Sequence, residues 1–179
     1  MKVIDTKMNG AIKIIENFYS FDIRGSFIKI FNDDTFNELG IPMNFKETYY
    51  SVSNRDVIRG MHFQMPPYDH DKLIHVVRGR VVDVLVDLRK SSPTYKQYVT
   101  IQLTGNKPKS IYIPKGFAHG FKTLDDNTVM IYNVTSGYNS EHDCGIRWDS
   151  IGYDWNVEEP IISERDRTFG TLEEFDSPF

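Results

Sequence analysis

From Lys72 onward the apolar positions fall in short runs, rich in β-branched and aromatic residues and broken by turn-formers. Leu73 to Val77, Val81 to Leu88, Tyr98 to Leu103, Ser110 to Ile113 and Val129 to Val134 read as strands. Arg78-Gly79-Arg80, Ser91-Ser92-Pro93, Gly105-Asn106-Lys107-Pro108 and Asp125-Asp126-Asn127 supply the turns between them. Several short strands at this spacing predict a sandwich or barrel, because closure hides strand edges that would otherwise pair with other chains. Thr35 to Leu39 predicts a helical turn, and the tail after Glu158 reads as irregular or weakly helical. An all-β domain with minor helices is expected.

One strand raises a question of chemistry. Across Val81 to Leu88 the even positions are all apolar, while the odd positions mix apolar residues with Asp83 and Asp87. Either the odd face points into a barrel mouth, with Asp83 beside Leu85, or both acids decorate a solvated face; alternation alone does not choose.

No linker, low-complexity tract or repeat divides the 179 residues, so residues 1–179 read as a single domain with enough core to fold without disulfides or a structural metal. The lone Cys144 cannot form an intrachain disulfide and suits a reducing compartment. The first residues offer neither a signal peptide nor a membrane anchor, and a cytoplasmic location is expected. A formal net charge of −4 argues against nucleic acid as a bulk electrostatic partner. It leaves room for a nucleotide, which needs only a few local cations.

Two segments concentrate chemistry: Arg59-Gly60-Met61-His62-Phe63-Gln64, and Ile113 to Phe121 with Lys115 and His119. They put His62 and His119 on separate strands or strand ends of one β domain, near Arg59, Lys72 and Lys115. Imidazoles among cations suit an anionic substrate that must lose and regain a proton. Of the five histidines, His70 and His142 lie in polar, loop-like contexts and read as surface residues. His75, between Ile74 and Val76, reads as a hydrogen-bonded structural residue. A metal-binding barrel of the cupin kind presents His-x-His, whereas here the second imidazole is Gln64, so no metal site is expected. Proton transfer needs a base, a group to orient it, a charge stabiliser and an acid on another face. His62 is the natural base. Asp166 or Asp83 could orient it, Lys72 or His119 could stabilise an oxyanion, and Tyr132 or Tyr138 could return a proton. With ten tyrosines in the chain, spacing alone does not select among them.

The chain resembles the dTDP-4-dehydrorhamnose 3,5-epimerase family over nearly its whole length. The resemblance runs through Asp22 to Phe27, Val57 to Gln64, Lys72 to Gly79, Val82 to Arg89 and Ser92-Pro93-Thr94. It continues through Ile113 to Phe121, Gly145 to Trp148 and Ile162 to Asp166. It implies a cupin-type jelly-roll barrel, a homodimer with an exchanged N-terminal strand, and catalysis with no metal or organic cofactor. The implied substrate is a nucleotide-diphospho-4-keto-6-deoxy sugar of bacterial surface polysaccharide synthesis, whose ketone acidifies the C3 and C5 hydrogens. Carried over by position, His62 is the base, Asp166 its partner, Lys72 the enolate stabiliser and Tyr132 the acid. His119 lines the sugar site, Arg24 and Arg59 meet the substrate, and Tyr138 stands beside the nucleotide. Phe27, Gln64 and Arg165 join the implied substrate-binding set, and Asp143 stands where the family usually has Glu.

The departures cluster where the family holds its base. Lys29 replaces a Glu, and Glu47-Thr48-Tyr49 replaces a Gln-x-Asn element. Glu47 could accept from the two adjacent N–H groups of guanine and Lys29 could donate to its carbonyl. This favours GDP over dTDP as the handle, since small changes in hydrogen-bonding groups decide specificity, and the chain is similar to the branch of the family that acts on GDP-linked 4-keto-6-deoxy-heptoses. The alternatives are a surface Lys29–Glu47 ion pair with dTDP retained, a metal-dependent cupin isomerase or oxygenase, and a non-catalytic nucleotide-sugar-binding cupin.

Overall fold

Alternating side chains can bury one face only against a second layer, and here two sheets supply it. A computed structural model describes all of residues 1–179. The strands are β1 Lys2–Lys7, β2 Ile12–Glu16, β3 Phe18–Asp22, β4 Gly25–Lys29, β5 Glu47–Ser53, β6 Ile58–Gln64 and β7 Lys72–Arg78. They continue with β8 Arg80–Asp87, β9 Tyr98–Thr104, β10 Lys109–Ile113, β11 Phe117–Thr123, β12 Thr128–Val134 and β13 Asp143–Gly145. Two short helices, α1 Asp33–Glu38 and α2 Glu164–Arg167, complete the elements that matter below.

One sheet runs β1-β2-β10-β7-β12-β5 and the other β13-β6-β11-β8-β9, while β3 and β4 pair only with each other. Side chains from the inner faces meet as a core that includes Ile14, Ile74, Ile111 and Met130 from the first sheet. Val81, Leu85, Phe117 and Phe121 come from the second. The result is a two-layered all-β fold, as the strand pattern predicts, and the jelly roll that the family resemblance implies. The outer face of the second sheet is covered by the C-terminal segment through Ile151, Trp155 and Leu172. The outer face of the first is partly covered by α1 and its loop through Phe36, Ile41 and Met43. Helix α1 begins at an Asn32 cap whose side chain accepts from the Thr35 N–H, 3.1 Å away.

The question posed by β8 is resolved inward. Val81 and Leu85 belong to the inner core, Val84 and Val86 to the outer cluster, and Asp83 lies on the inner face with no solvent exposure. Asp87 is equally buried, so the solvated-face alternative fails for both acids. Its carboxylate accepts from Arg89 Nε at 2.9 Å, Ser92 Oγ at 2.6 Å and Thr94 Oγ1 at 2.6 Å, and so fastens the turn after β8. The N-terminal strands were not legible, and the hairpin β3–β4 shows why: both of its faces are exposed, so no period-two pattern is imposed on it.

Candidate active site

β6 and β11 lie side by side with His62 directly opposite His119. The approach is close because both strands carry glycine there. A Cβ on Gly60 would stand 2.5 Å from the Gly120 Cα, and Gly60 holds φ +138°. Helix α2, capped by Ser163, delivers Asp166 to this close approach of the two strands. One Asp166 oxygen lies 2.8 Å from His62 Nε2, and the other accepts the Gly60 N–H at 3.1 Å. An ionised carboxylate can only accept, so Nε2 carries the hydrogen and Nδ1 is left with a lone pair. Burial alone would raise the Asp166 pKa. The His62 bond and charge, with the Gly60 and Ser163 bonds, outweigh burial and hold it below the usual carboxylate range. The His62 ring is braced edge-on by Phe169 at 5.9 Å, and Gly145 on the neighbouring strand β13 leaves room for that ring.

Asp83 and Asp166 are therefore sorted between the two histidines. Asp83 Oδ1 is 2.7 Å from His119 Nε2, both groups being buried, so Asp83 orients His119 and not His62. Burial raises the Asp83 pKa against the pull of His119 and Lys72. Lys72 reaches in from β7 on the other sheet and donates to the His62 carbonyl at 3.2 Å. Burial brings its pKa down to about 8, opposed by the Asp143 and Asp83 charges. Such an ammonium is a concentrated positive charge in a dry site.

Strand β5 forms the facing wall. Its register with β12 puts Tyr49 opposite Tyr132, and one face of β5 presents Glu47, Tyr49, Ser51 and Ser53 in a row. Ser51 Oγ lies 3.1 Å from the Tyr132 hydroxyl, and Arg59 Nε donates to Ser53 Oγ at 3.0 Å. Burial raises the Tyr132 pKa, with the Ser51 bond and Arg59 acting the other way, so the phenol is a protonated donor at neutral pH.

These side chains enclose a cavity of about 260 Å³ between the sheets. His62, His119 and Arg59 stand on the β6–β11 side, and Tyr132, Tyr49, Ser51 and Lys72 on the β12–β5–β7 side. A second cavity, of about 290 Å³, adjoins it through His62, Lys72 and Tyr49 and is walled by Glu47, Tyr138, Asp143 and Arg165. Arg165 pairs with Asp143 at 2.7 Å, and Glu47 accepts the Tyr138 N–H at 2.8 Å. Gln64 lines this cavity, but its amide is committed to Tyr68 O at 2.8 Å and the Asn139 N–H at 2.7 Å. It shapes the loop that carries Tyr138.

Some expected residues are not gathered here. Arg24 and Phe27 line a shallow recess of the β3–β4 hairpin, and Lys29 ends that hairpin, outside both cavities. Lys115 faces Asp69 at 3.5 Å and is largely exposed. The alternative of a Lys29–Glu47 surface pair is not realised: Glu47 is engaged by the Tyr138 backbone instead. His70 and His142 are half-buried, not surface residues. His70 lines the second cavity, where burial and then Lys72 lower its pKa to about 3. His75 is the structural residue expected, with Nδ1 donating to Lys109 O at 2.9 Å. Tyr49, Ser51, Ser53 and Phe169 were missed as site residues, although the alternation Glu47, Tyr49, Ser51, Ser53 could have marked a lining face. No three His, Cys, Asp or Glu side chains converge as metal ligands.

The arrangement can take a proton from one side of a bound molecule and offer one from the other, with a cation beside both. A family model described as dTDP-4-dehydrorhamnose 3,5-epimerase matches residues 5–174. A protein of that name from Methanothermobacter thermautotrophicus is 42% identical over 97% of this chain and 95% of its own. The crystal structure of such an epimerase from Bacillus anthracis, with TDP and pyrophosphate bound, superposes with a TM-score of 0.92 at 38% identity, covering 96% of this chain and 99% of that one. A Legionella pneumophila epimerase in complex with dTDP-4-keto-L-rhamnose gives 0.91 at 35% identity, covering 98% of this chain and 94% of that one. These names and ligands specify dTDP and lend no support to the GDP preference.

Proposed function

The chain belongs to the dTDP-4-dehydrorhamnose 3,5-epimerase family, and from that premise we propose that it inverts C3 and C5 of a dTDP-linked 4-keto-6-deoxy sugar. The observation that carries the proposal is the division of labour between the sheets, with the His62–Asp166 pair on one side of the cavity and Tyr132 on the other. His62 Nδ1 removes the proton from the carbon next to the ketone, and the electron pair left behind is delocalised onto the ketone oxygen. The Lys72 ammonium stabilises that enolate. The Tyr132 hydroxyl returns a proton to the opposite face, which inverts the centre, and solvent restores both groups. Protons move and the oxidation state does not change at any of these steps, so none of them consumes an oxidant or reductant. The diphosphate lies toward Arg59 and Arg165, and the nucleotide toward Tyr138 and Glu47.

One observation favours a second reading, GDP as the handle. Glu47 stands as a carboxylate in the wall of the outer cavity, where the family has an amide, and a carboxylate suits the paired N–H donors of guanine. Against it, one Glu47 oxygen already accepts the Tyr138 N–H, and Lys29 lies away from that wall.

The proposal extends to a homodimer in a cytoplasmic pathway that supplies deoxy sugars for surface polysaccharide. The β3–β4 hairpin exposes Tyr19 by 59%, Phe21 by 79% and Ile23 by 105%. An unshielded apolar surface of this kind, carrying Arg24, Phe27 and Lys29, suits insertion beside a partner's cavity.

Both substrate readings are tested together by NMR in D2O, with dTDP- and GDP-linked 4-keto-6-deoxy sugars offered side by side. Deuterium entering C3 and C5 of the dTDP sugar, with inversion, is the expected result. Exchange confined to the GDP sugar would transfer the assignment to GDP, and exchange in neither would overturn the epimerase function.

A further inference from the structure

We infer that Tyr49 is a positioning residue for the proton return, holding the Tyr132 ring so that its hydroxyl meets the substrate on the face opposite His62. The inference rests on the proposed epimerisation and deepens it. Tyr49 and Tyr132 are direct cross-strand partners in the β5–β12 register, so their side chains leave the sheet on the same face. Their rings lie almost parallel, 16° apart, with centroids 4.9 Å from each other. Ser51, two residues along and on that same face, contacts the Tyr132 hydroxyl at 3.1 Å. The phenol is thus held at two points, its plane by Tyr49 and its oxygen by Ser51.

The position of the stack matters as much as its geometry. Tyr49 lines both cavities and forms part of the partition between them. It is 42% exposed on an edge strand, whereas Tyr132 is 6% exposed. A half-exposed ring at an edge contributes little to the core, yet it screens the acid from the open side of the site. Tyr132 has neighbours on its other flank, His119 at 6.2 Å and Phe121 at 6.5 Å between ring centroids, but both are tilted to it, and Tyr49 alone lies flat against it. Remove the Tyr49 ring and the phenol gains room to rotate toward β5.

Chemistry makes the consequence specific. Once the enolate has formed, two proton donors compete for its carbon: protonated His62 on the face of departure and Tyr132 on the other. Return from His62 restores the starting configuration, labelled if the imidazolium has exchanged with solvent. Return from Tyr132 inverts the centre. Misplacing Tyr132 therefore changes the partition between labelled starting material and inverted product, while leaving proton removal to the His62–Asp166 pair. General damage to the site lowers both outcomes together.

The test compares wild type, Tyr49→Phe, Tyr49→Leu and Ser51→Ala in D2O with the substrate that wild type turns over. For each, label in recovered substrate is measured against inverted product. Tyr49→Phe keeps the ring and is expected to partition like wild type. Tyr49→Leu removes the flat face, and the inverted share is expected to fall about three- to tenfold while total exchange stays within about twofold. Ser51→Ala releases the other point of attachment and is expected to shift the partition in the same direction, which keeps the inference testable should the Leu variant not fold. Exchange and inversion falling in parallel in the Leu variant, or in Ser51→Ala where Leu does not fold, would overturn the role of Tyr49. So would a Phe variant that partitions like Leu. A wild type without exchange on any sugar would overturn the reaction itself, a failure distinct from an active wild type with an indifferent Tyr49.

Discussion

At the scale of single residues, the proposal separates removal of a proton from its return. His62→Ala is expected to lower exchange by about 10³-fold or more, the range of a positioned general base. Tyr132→Phe should still exchange label while losing inversion, and a variant that inverted normally would displace Tyr132 from the role of acid. Lys72 gives the pH signature. With its pKa lowered to about 8 by burial, its cation is present below that pH and is lost above it, so kcat/KM, which follows the free enzyme, should fall as pH rises through about 8. Lys72→Met should run far slower at every pH and show no such limb. Stability moves the other way. Between about 8 and the ordinary lysine value the unfolded chain binds the proton that the folded chain has released, so folding gains as pH rises there. Thermal unfolding of wild type against Lys72→Met across that window measures the difference. The residue types were legible in the sequence, because imidazole, ammonium and phenol are the groups this chemistry needs. The pairing of acids with histidines was not legible from residue chemistry, on which Asp83 and Asp166 were equal candidates for His62. Only the family resemblance named Asp166, and in the fold β8 turns Asp83 inward to His119 while α2 carries Asp166 beneath Gly60.

At the scale of elements, the site depends on two strands approaching more closely than side chains allow. Gly60 and Gly120 meet between the paired strands β6 and β11, and the Gly60 N–H also anchors Asp166. Gly60→Ala combines a backbone conformation that L residues avoid with a Cβ lodged against the Gly120 backbone, at a cost of about 3 kcal/mol. Urea unfolding should show a midpoint lowered accordingly, with activity reduced beyond the loss of folded protein because the dyad shifts with the backbone. Where a strand is largely buried on both faces, as β7, β8 and β12 are, a short β-branched and aromatic run bounded by turn residues marked it within a residue or two of its observed bounds. Where neither face is buried within the chain, as in β3 and β4, periodicity had nothing to report. β5 is the instructive middle case. Its lining face, Glu47, Tyr49, Ser51 and Ser53, is polar enough to look like surface, because a wet cavity and bulk water select similar residues.

At the scale of the molecule, the hairpin that periodicity could not read stands apart from the site it is expected to serve. Arg24, Phe27 and Lys29 ride on β3–β4 outside both cavities, yet the family resemblance assigns them to substrate. Both facts are satisfied if each hairpin serves the site of a second copy. Sedimentation should then give twice the mass of the chain, and a dimer alone would not prove exchange. Complementation does. His62→Ala and Arg24→Ala chains, each impaired as a homodimer, are mixed and allowed to re-pair. In a hybrid, one site combines the His62 of the second chain with the Arg24 of the first and is fully wild type, while the other carries both defects. Random re-pairing makes half the dimers hybrids with one good site of two, so about a quarter of wild-type activity should return. If Arg24 serves the site of its own chain, every site in every dimer carries a defect, and mixing restores nothing.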